Sequence, residues 1–358
     1  MLSILGTPGW RSFSRAAADE RIVPGLQAPF PWFGGKSRVA PIVWDLFGDV
    51  PNYVEPFFGS GAVLLGRPAW HNVGMETAND KDGYVANVWR ALSADPDGVA
   101  AWADWPVNEA DLHARHLWLR ERSDSLVGQL MADPDYYDAQ IAGWWLWGMA
   151  SWIGAGFCGP SGSGPWGNSD GRFVHLGNHG RGVKRQLVHL GDAGRGVARR
   201  RVHLKAGQGV ARHLPSDGLQ EWCRALQQRL RYVRVSCGDW RRVCGYTPTL
   251  ANGVTGVFLD PPYSSQSGRD PSIYATEDLH VAQDVCAWAI AHGDHPDIRI
   301  ILCGYEGEHR MPKTWLEIPW STSGGYANLG SGPGQLNRHR ERLWASPACR
   351  VRQSRLWA

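Results

Sequence analysis

The sequence predicts an open α/β sheet split by a long inserted segment, and three observations carry that expectation. Val257-Phe258-Leu259 is an apolar run stopped abruptly by Asp260-Pro261-Pro262-Tyr263. Tyr53-Val54 leads through the turn Phe58-Gly59-Ser60-Gly61 into an apolar helix start at 62–65. Between these units the α/β rhythm ceases after residue 92. It resumes near 219, where an amphipathic helix precedes the short strand Val233-Arg234-Val235-Ser236.

Val-Phe-Leu has the composition of a buried strand, and the prolines end it because neither can donate to a ladder. Asp260 and Tyr263 therefore stand at a strand's carboxyl end, where open α/β sheets bind their ligands. The backbone carbonyls around the prolines lack helical or sheet partners and can accept from a ligand. An acceptor pair beside a flat ring suits the grip of a planar group carrying an NH2. A plain strand followed by a turn is the alternative.

Strand, Gly-rich turn and helix make the first crossover of a nucleotide-binding α/β fold. Asp80 follows Gly61 at about the 20-residue spacing at which an acidic residue meets ribose hydroxyls in such folds. Upstream, Trp32-Phe33-Gly34-Gly35-Lys36-Ser37 leads into an apolar-periodic stretch at 39–47. Gly34-Gly35 allows close backbone approach, and Lys36 falls where a helix should begin, so the pair makes a local anion site. An ordinary glycine turn with a solvated lysine is the competing reading.

A chain of 358 residues is long enough for one large domain with an insertion, or for two domains. Its 43% hydrophobic and 20% charged content are those of a soluble globular protein. The net charge of +3 is too small to argue for nucleic acid by itself. Lysine occurs only at 36, 81, 184, 205 and 313, so arginine dominates the basic residues; a GC-rich genome explains this more simply than phosphate binding does. Seven cysteines without a C-x-x-C pair argue against a disulfide framework and a zinc site, and for a reducing, cytoplasmic setting. Residues 1–25 lack the apolar core of a signal peptide, and the apolar stretch at 141–157 falls short of a membrane span.

Within the inserted segment, 108–131 is helical in pattern, with Leu112, Leu119, Leu126 and Leu130 on its apolar side. A tryptophan-rich helix is expected over 134–153, its rings read as core packing rather than a stacking platform. From 154 to 213 the composition turns to Gly, Arg and His, with Val174-His175-Leu176, Val188-His189-Leu190 and Val202-His203-Leu204 recurring every 14 residues. The same region carries Arg172, Arg181, Lys184, Arg185, Arg195, Arg199, Arg200, Arg201, Lys205 and Arg212, opposed only by Asp192. Such density on glycine-hinged backbone suits contact with a phosphate chain and groove edges; a solvated loop is the alternative. The evenly spaced histidines read as structural rather than as metal ligands. Downstream, Cys237-Gly238-Asp239-Trp240 puts a second carboxylate at a strand terminus. A polar lid is expected over 264–276, a helix over 280–292, a buried strand over 299–303 and a final edge strand over 340–344.

Taken in order, Trp32 to Lys36, Glu55-Pro56-Phe57-Phe58-Gly59-Ser60-Gly61, Asn79-Asp80, Gly238-Asp239 and Asp260 to Tyr263 resemble the adenine-specific DNA methyltransferases of the Dam-like family. The resemblance spans roughly 29–92 and 216–346. It implies a Rossmann-like methyltransferase sheet, with the catalytic domain at 27–105 and 216–358, an N-terminal extension at 1–26 and a target-recognition region at 106–215. The implied reaction is methyl transfer from S-adenosyl-L-methionine to the exocyclic amino group of adenine in double-stranded DNA, without a metal or a membrane. Implied cofactor residues are Trp32, Phe33, Gly34, Gly35, Lys36, Glu55, Pro56, Phe57, Phe58, Gly59, Gly61, Asp80, Asp239 and Trp240. Among these, Asp80 would take the ribose hydroxyls, Asp239 the adenine amino group and Lys36 the methionine end.

The implied catalytic residues are Asp260, Pro261, Pro262 and Tyr263. The adenine nitrogen is a poor nucleophile because its lone pair is delocalised into the ring. Accepting its hydrogens on the Asp260 carboxylate and the Pro261 carbonyl frees that lone pair, while Tyr263 stacks on a base flipped from the duplex. The middle of the chain departs from the family pattern, so a target sequence does not carry over. A cytosine amino group or RNA adenine are rival acceptors; Asp rather than Ser before Pro-Pro-Tyr favours adenine in the family. A nucleic-acid-binding protein with a relic cofactor fold is the rival from another class, opposed by the intact glycines and acids. A phage-borne or solitary modification enzyme is expected ahead of one fused to a restriction nuclease.

Overall fold

The computed structural model describes residues 26–30, 32, 36–70, 74–152, 157–158, 166–169, 172–175, 218–263, 280–321 and 339–349. The first half runs α1 (Ala40–Phe47), β1 (Asn52–Glu55), α2 (Ala62–Leu65), β2 (Met75–Asp80), α3 (Gly83–Ala94), α4 (Pro96–Ala103), α5 (Glu109–Ala132) and α6 (Ala139–Ser151). A hairpin of β3 (Trp166–Ser169) and β4 (Arg172–His175) follows. The second half runs α7 (Leu219–Leu230), β5 (Val233–Cys237), α8 (Tyr246–Thr249), β6 (Thr255–Leu259), α9 (Val281–His292), β7 (Ile298–Tyr305), β8 (Leu316–Pro319) and β9 (Glu341–Ala345).

Seven of these strands form one sheet in the order β5-β2-β1-β6-β7-β9-β8. The first five are parallel, and β9 pairs antiparallel with both β7 and β8. The chain steps outward from β1 to β2 to β5, then returns to place β6 on the other side of β1. That reversal is a topological switch point, and the crevice outside the carboxyl ends of β1 and β6 is where such sheets bind ligands.

Burial on both faces explains the near-continuous apolar character of the central strands. All five residues of β6 are buried. Val257 and Leu259 pack into a cluster with Ile298, Ile300, Leu302 and Val285 of α9, while Phe258 joins the larger core on the opposite face. Leu112, Leu119, Leu126 and Leu130 of α5 and Trp145 of α6 share that larger core with α3, so these helices pack against the sheet domain.

Caps set the helix limits. Asp82, Asn108 and Asp138 each accept a first-turn backbone N–H at the start of α3, α5 and α6. The Asp138 cap starts the tryptophan-rich helix at Ala139 rather than near 134. The sequence pattern gave no sign of α4, whose Asp95 accepts from Gly98 and whose first residue, Pro96, needs no donor.

The expectation for the last strand is overturned. The strand at the chain's end is not an edge strand: β9 lies between β7 and β8. Leu316-Glu-Ile-Pro319 is short and proline-ended, which hides it as a strand, yet proline is tolerated at an edge because no partner there needs its N–H. The N-terminal extension, the loop at 264–276 and the second and third copies of the 14-residue repeat lie outside the described residues. No helix among the described residues is long and apolar enough to cross a membrane.

Candidate active site

The glycine turn after β1 is shaped by two residues in the left-handed region, Gly59 (φ 46°) and Gly61 (φ 60°). A side chain at 59 would strike Trp32, since a Cβ would sit 2.3 Å from its Nε1. One at 61 would lie 2.6 Å from the Phe58 ring. The turn is tied to β2: Phe58 N donates to the Asn79 carbonyl at 2.9 Å, and Gly59 N donates to Asp80 Oδ2 at 2.8 Å. Asp82 N donates to the other Asp80 oxygen. Burial, with Asp82 beside it, lifts Asp80 to about 7.

Asn79 joins three strand ends. Its Nδ2 donates to the carbonyls of Pro56 and Gly238, each at 3.0 Å, and its Oδ1 accepts from Ser236. This brings Asp239, just past β5, alongside the turn after β1. Asp239 accepts from the Arg241 backbone and pairs with its guanidinium, and its side chain stays 45% exposed. The next residue, Trp240, is buried with its ring 6.3 Å from Phe57. Glu55 is buried and accepts from Tyr53; burial holds it above the usual carboxylate range.

On the β6 side, Lys36 reaches across the crevice. Its Nζ lies 2.9 Å from Asp260 Oδ2 and donates to the Tyr263 hydroxyl at 3.2 Å. The Tyr263 hydroxyl donates to Glu341 Oε2 at 2.8 Å. Burial disfavours the Lys36 ammonium, but the carboxylates of Asp260 and Glu341 outweigh it and raise Lys36 above its ordinary value. The Tyr263 ring is only 9% exposed and meets Tyr305 edge-on at 4.6 Å, so it forms part of the crevice wall.

Residues 32–117 match the model of the D12 class N6 adenine-specific DNA methyltransferases. Over that stretch the chain is similar to this family. It is therefore an enzyme, and it methylates adenine in DNA. No curated protein matches the chain.

The match takes in Trp32, Lys36, the turn at 55–61 and Asp80, and stops before Asp239 and Asp260. The sheet of the methyltransferase supplies what lies beyond it, by bringing the ends of β5 and β6 to the same edge as the ends of β1 and β2. Lys36 does not sit at a helix N-terminus, because α1 starts at Ala40 with Val39 as its cap. Phe33, Gly34 and Gly35 lie outside the described residues. So do Arg181, Lys184, Arg185, Arg195, Arg199, Arg200, Arg201, Lys205 and Arg212, and of Arg172 only the strand backbone in β4 is described. Glu341, which accepts from Tyr263 in the Asp260 cluster, was left unassigned by sequence reasoning. A glutamate opening a short apolar strand was its only signal.

Proposed function

We propose that this methyltransferase takes its methyl group from S-adenosyl-L-methionine, and that Asp260 and the Pro261 carbonyl accept the hydrogens of the adenine amino group. The observation that carries the reading is the switch-point crevice, with the Gly59–Gly61 turn on one side and Asp260 on the other. The residues suit this cofactor. Gly59 and Gly61 keep the turn tight against Trp32 and Phe58, Asp80 offers a carboxylate for ribose hydroxyls, and Asp239 offers one for an adenine amino group next to Trp240, whose ring lies 6.3 Å from Phe57. Lys36 is read as meeting the methionine carboxylate.

When bound, the cofactor supplies a methyl group on a sulfonium. The protein's part is to hold the adenine nitrogen in line with it, since alignment alone accounts for a large share of such accelerations. Asp260 and Pro261 localise the nitrogen lone pair by accepting its two hydrogens. Tyr263 walls the pocket for a base that has left the duplex. Double-stranded DNA is the proposed substrate, held in part by the basic residues between 172 and 212. We place the enzyme in the cytoplasm of a bacterial or phage-infected cell, where such DNA lies, as a solitary or restriction–modification methyltransferase.

Incubating the purified protein with DNA and methyl-labelled S-adenosyl-L-methionine should put label on adenine N6, and D260A should abolish this while binding cofactor. Label that never enters DNA, or a fully active D260A, would contradict the assignment.

A further inference from the structure

A buried chain of hydrogen bonds stands behind Asp260. It runs from Asp260 Oδ2 to Lys36, from Lys36 to the Tyr263 hydroxyl, and from there to Glu341. Lys36, Tyr263 and Glu341 are 6%, 9% and 5% exposed, so the chain is shut off from water. Glu341 opens β9 directly opposite Tyr305, the last residue of β7. It is thereby delivered to the same sheet edge as Asp260 by a strand running the other way.

We propose that Glu341 is a positioning residue for methyl transfer: through Tyr263 and Lys36 it holds Asp260 by Oδ2 and leaves Oδ1 for the adenine amino group. The inference rests on the reading of Asp260 as the acceptor of the amino hydrogens. Three features support it. Lys36 engages one Asp260 oxygen, and no described residue is placed on the other. Glu341 shares the ammonium's charge, so Lys36 does not neutralise Asp260 alone. Asp260 and Glu341 share the one ammonium of Lys36 in this cluster. Burial raises Glu341, with Lys36 and the Tyr263 hydroxyl opposing that rise. A carboxylate without these partners would be expensive to bury here.

The experiment is single-turnover methyl transfer by E341Q, Y263F and the double variant, with active sites counted by cofactor titration. E341Q keeps the side chain's shape and an acceptor for Tyr263 but removes the charge. It should transfer about 10- to 100-fold more slowly, the scale of small misplacements at a reacting centre. Its cofactor affinity should fall far less than its rate, because Glu341 acts on the site only through Tyr263 and Lys36. Y263F removes both hydroxyl bonds and should behave alike. The double variant should be no slower than the slower single one, since members of one network do not act additively.

A residue that merely stabilised the fold would lower melting temperature and yield without slowing the titrated sites. A wild-type rate in E341Q, or losses that multiply in the double variant, would overturn the proposal. If E341Q fails to fold, Y263F decides alone: slowed transfer at unchanged cofactor affinity supports it, and a wild-type rate overturns it. D260N separates the two levels. An active D260N removes the reading of Asp260, whereas an inactive D260N beside a fully active E341Q removes only the role of Glu341.

Discussion

The methyltransferase buries two ion clusters at opposite ends of its parallel strands, and they are built differently. Near the amino end of β2, Glu76 is fully buried between two arginines. Arg229 grips it with bonds of 2.6 and 2.9 Å, and Arg67 adds one of 3.1 Å. Arg229 also donates to the Leu64 carbonyl, and Arg67 to the Val50 carbonyl. Every strong acceptor there is met by a neighbour, and the cluster locks α2, β2 and α7 together. At the carboxyl end, Lys36, Tyr263 and Glu341 close a similar network around one oxygen of Asp260, whose side chain keeps 22% of its surface exposed. A closed cluster secures the fold. One left open on a single carboxylate oxygen, at a switch point, is equipped to bind.

The comparison breaks most visibly at Glu76. E76A removes the buried carboxylate that Arg67 and Arg229 share and should lose about 3–5 kcal/mol of stability. Chemical denaturation measures that loss, and the rate per titrated site should be unchanged in whatever fraction folds. A smaller loss is expected at the glycine turn. G61A forces a left-handed backbone on alanine, about 1–2 kcal/mol of strain, and drives its Cβ into Phe58. It should weaken cofactor binding more than it lowers the melting temperature, as calorimetry would show.

Asp80 sharpens the contrast through pH. Burial raises it from 3.8 to about 7, so its neutral form stabilises the cofactor-free protein at low pH. That contribution fades as pH climbs from about 4 through about 7. Ribose hydroxyls donate best to the ionised carboxylate, so cofactor affinity should rise through pH 7 and then level off. D80N should abolish the rise; affinity that falls over this range would contradict the assignment. The smallest effect belongs to the surface pair of Arg224 and Asp97, both about half-exposed. R224A should leave melting temperature and activity within experimental error.

What the sequence revealed follows from how local each signal is. The strand ending in Asp260-Pro-Pro-Tyr263 was legible because an apolar run and two prolines are adjacent in the chain. The glycine turn and Asp80 were legible because their spacing is set by a single crossover. The partners of Lys36 were not, since Tyr263 lies 227 positions downstream and meets it only through the sheet order. Glu341 was invisible for the same reason. The placement of β9 depended on β8, a four-residue strand ending in proline that no alternation marks. Helix starts were displaced where a cap, Asp138, overrode the apolar pattern.

The most direct test of the central claim is a crystal structure of the enzyme with a demethylated cofactor analogue and an adenine-containing duplex. The adenine amino nitrogen should lie about 3 Å from both Asp260 Oδ1 and the Pro261 carbonyl, with Lys36 still on Oδ2 and the analogue against the Gly59–Gly61 turn. An adenine whose amino group points away from Asp260, or an analogue bound far from Phe58 and Tyr263, would contradict it.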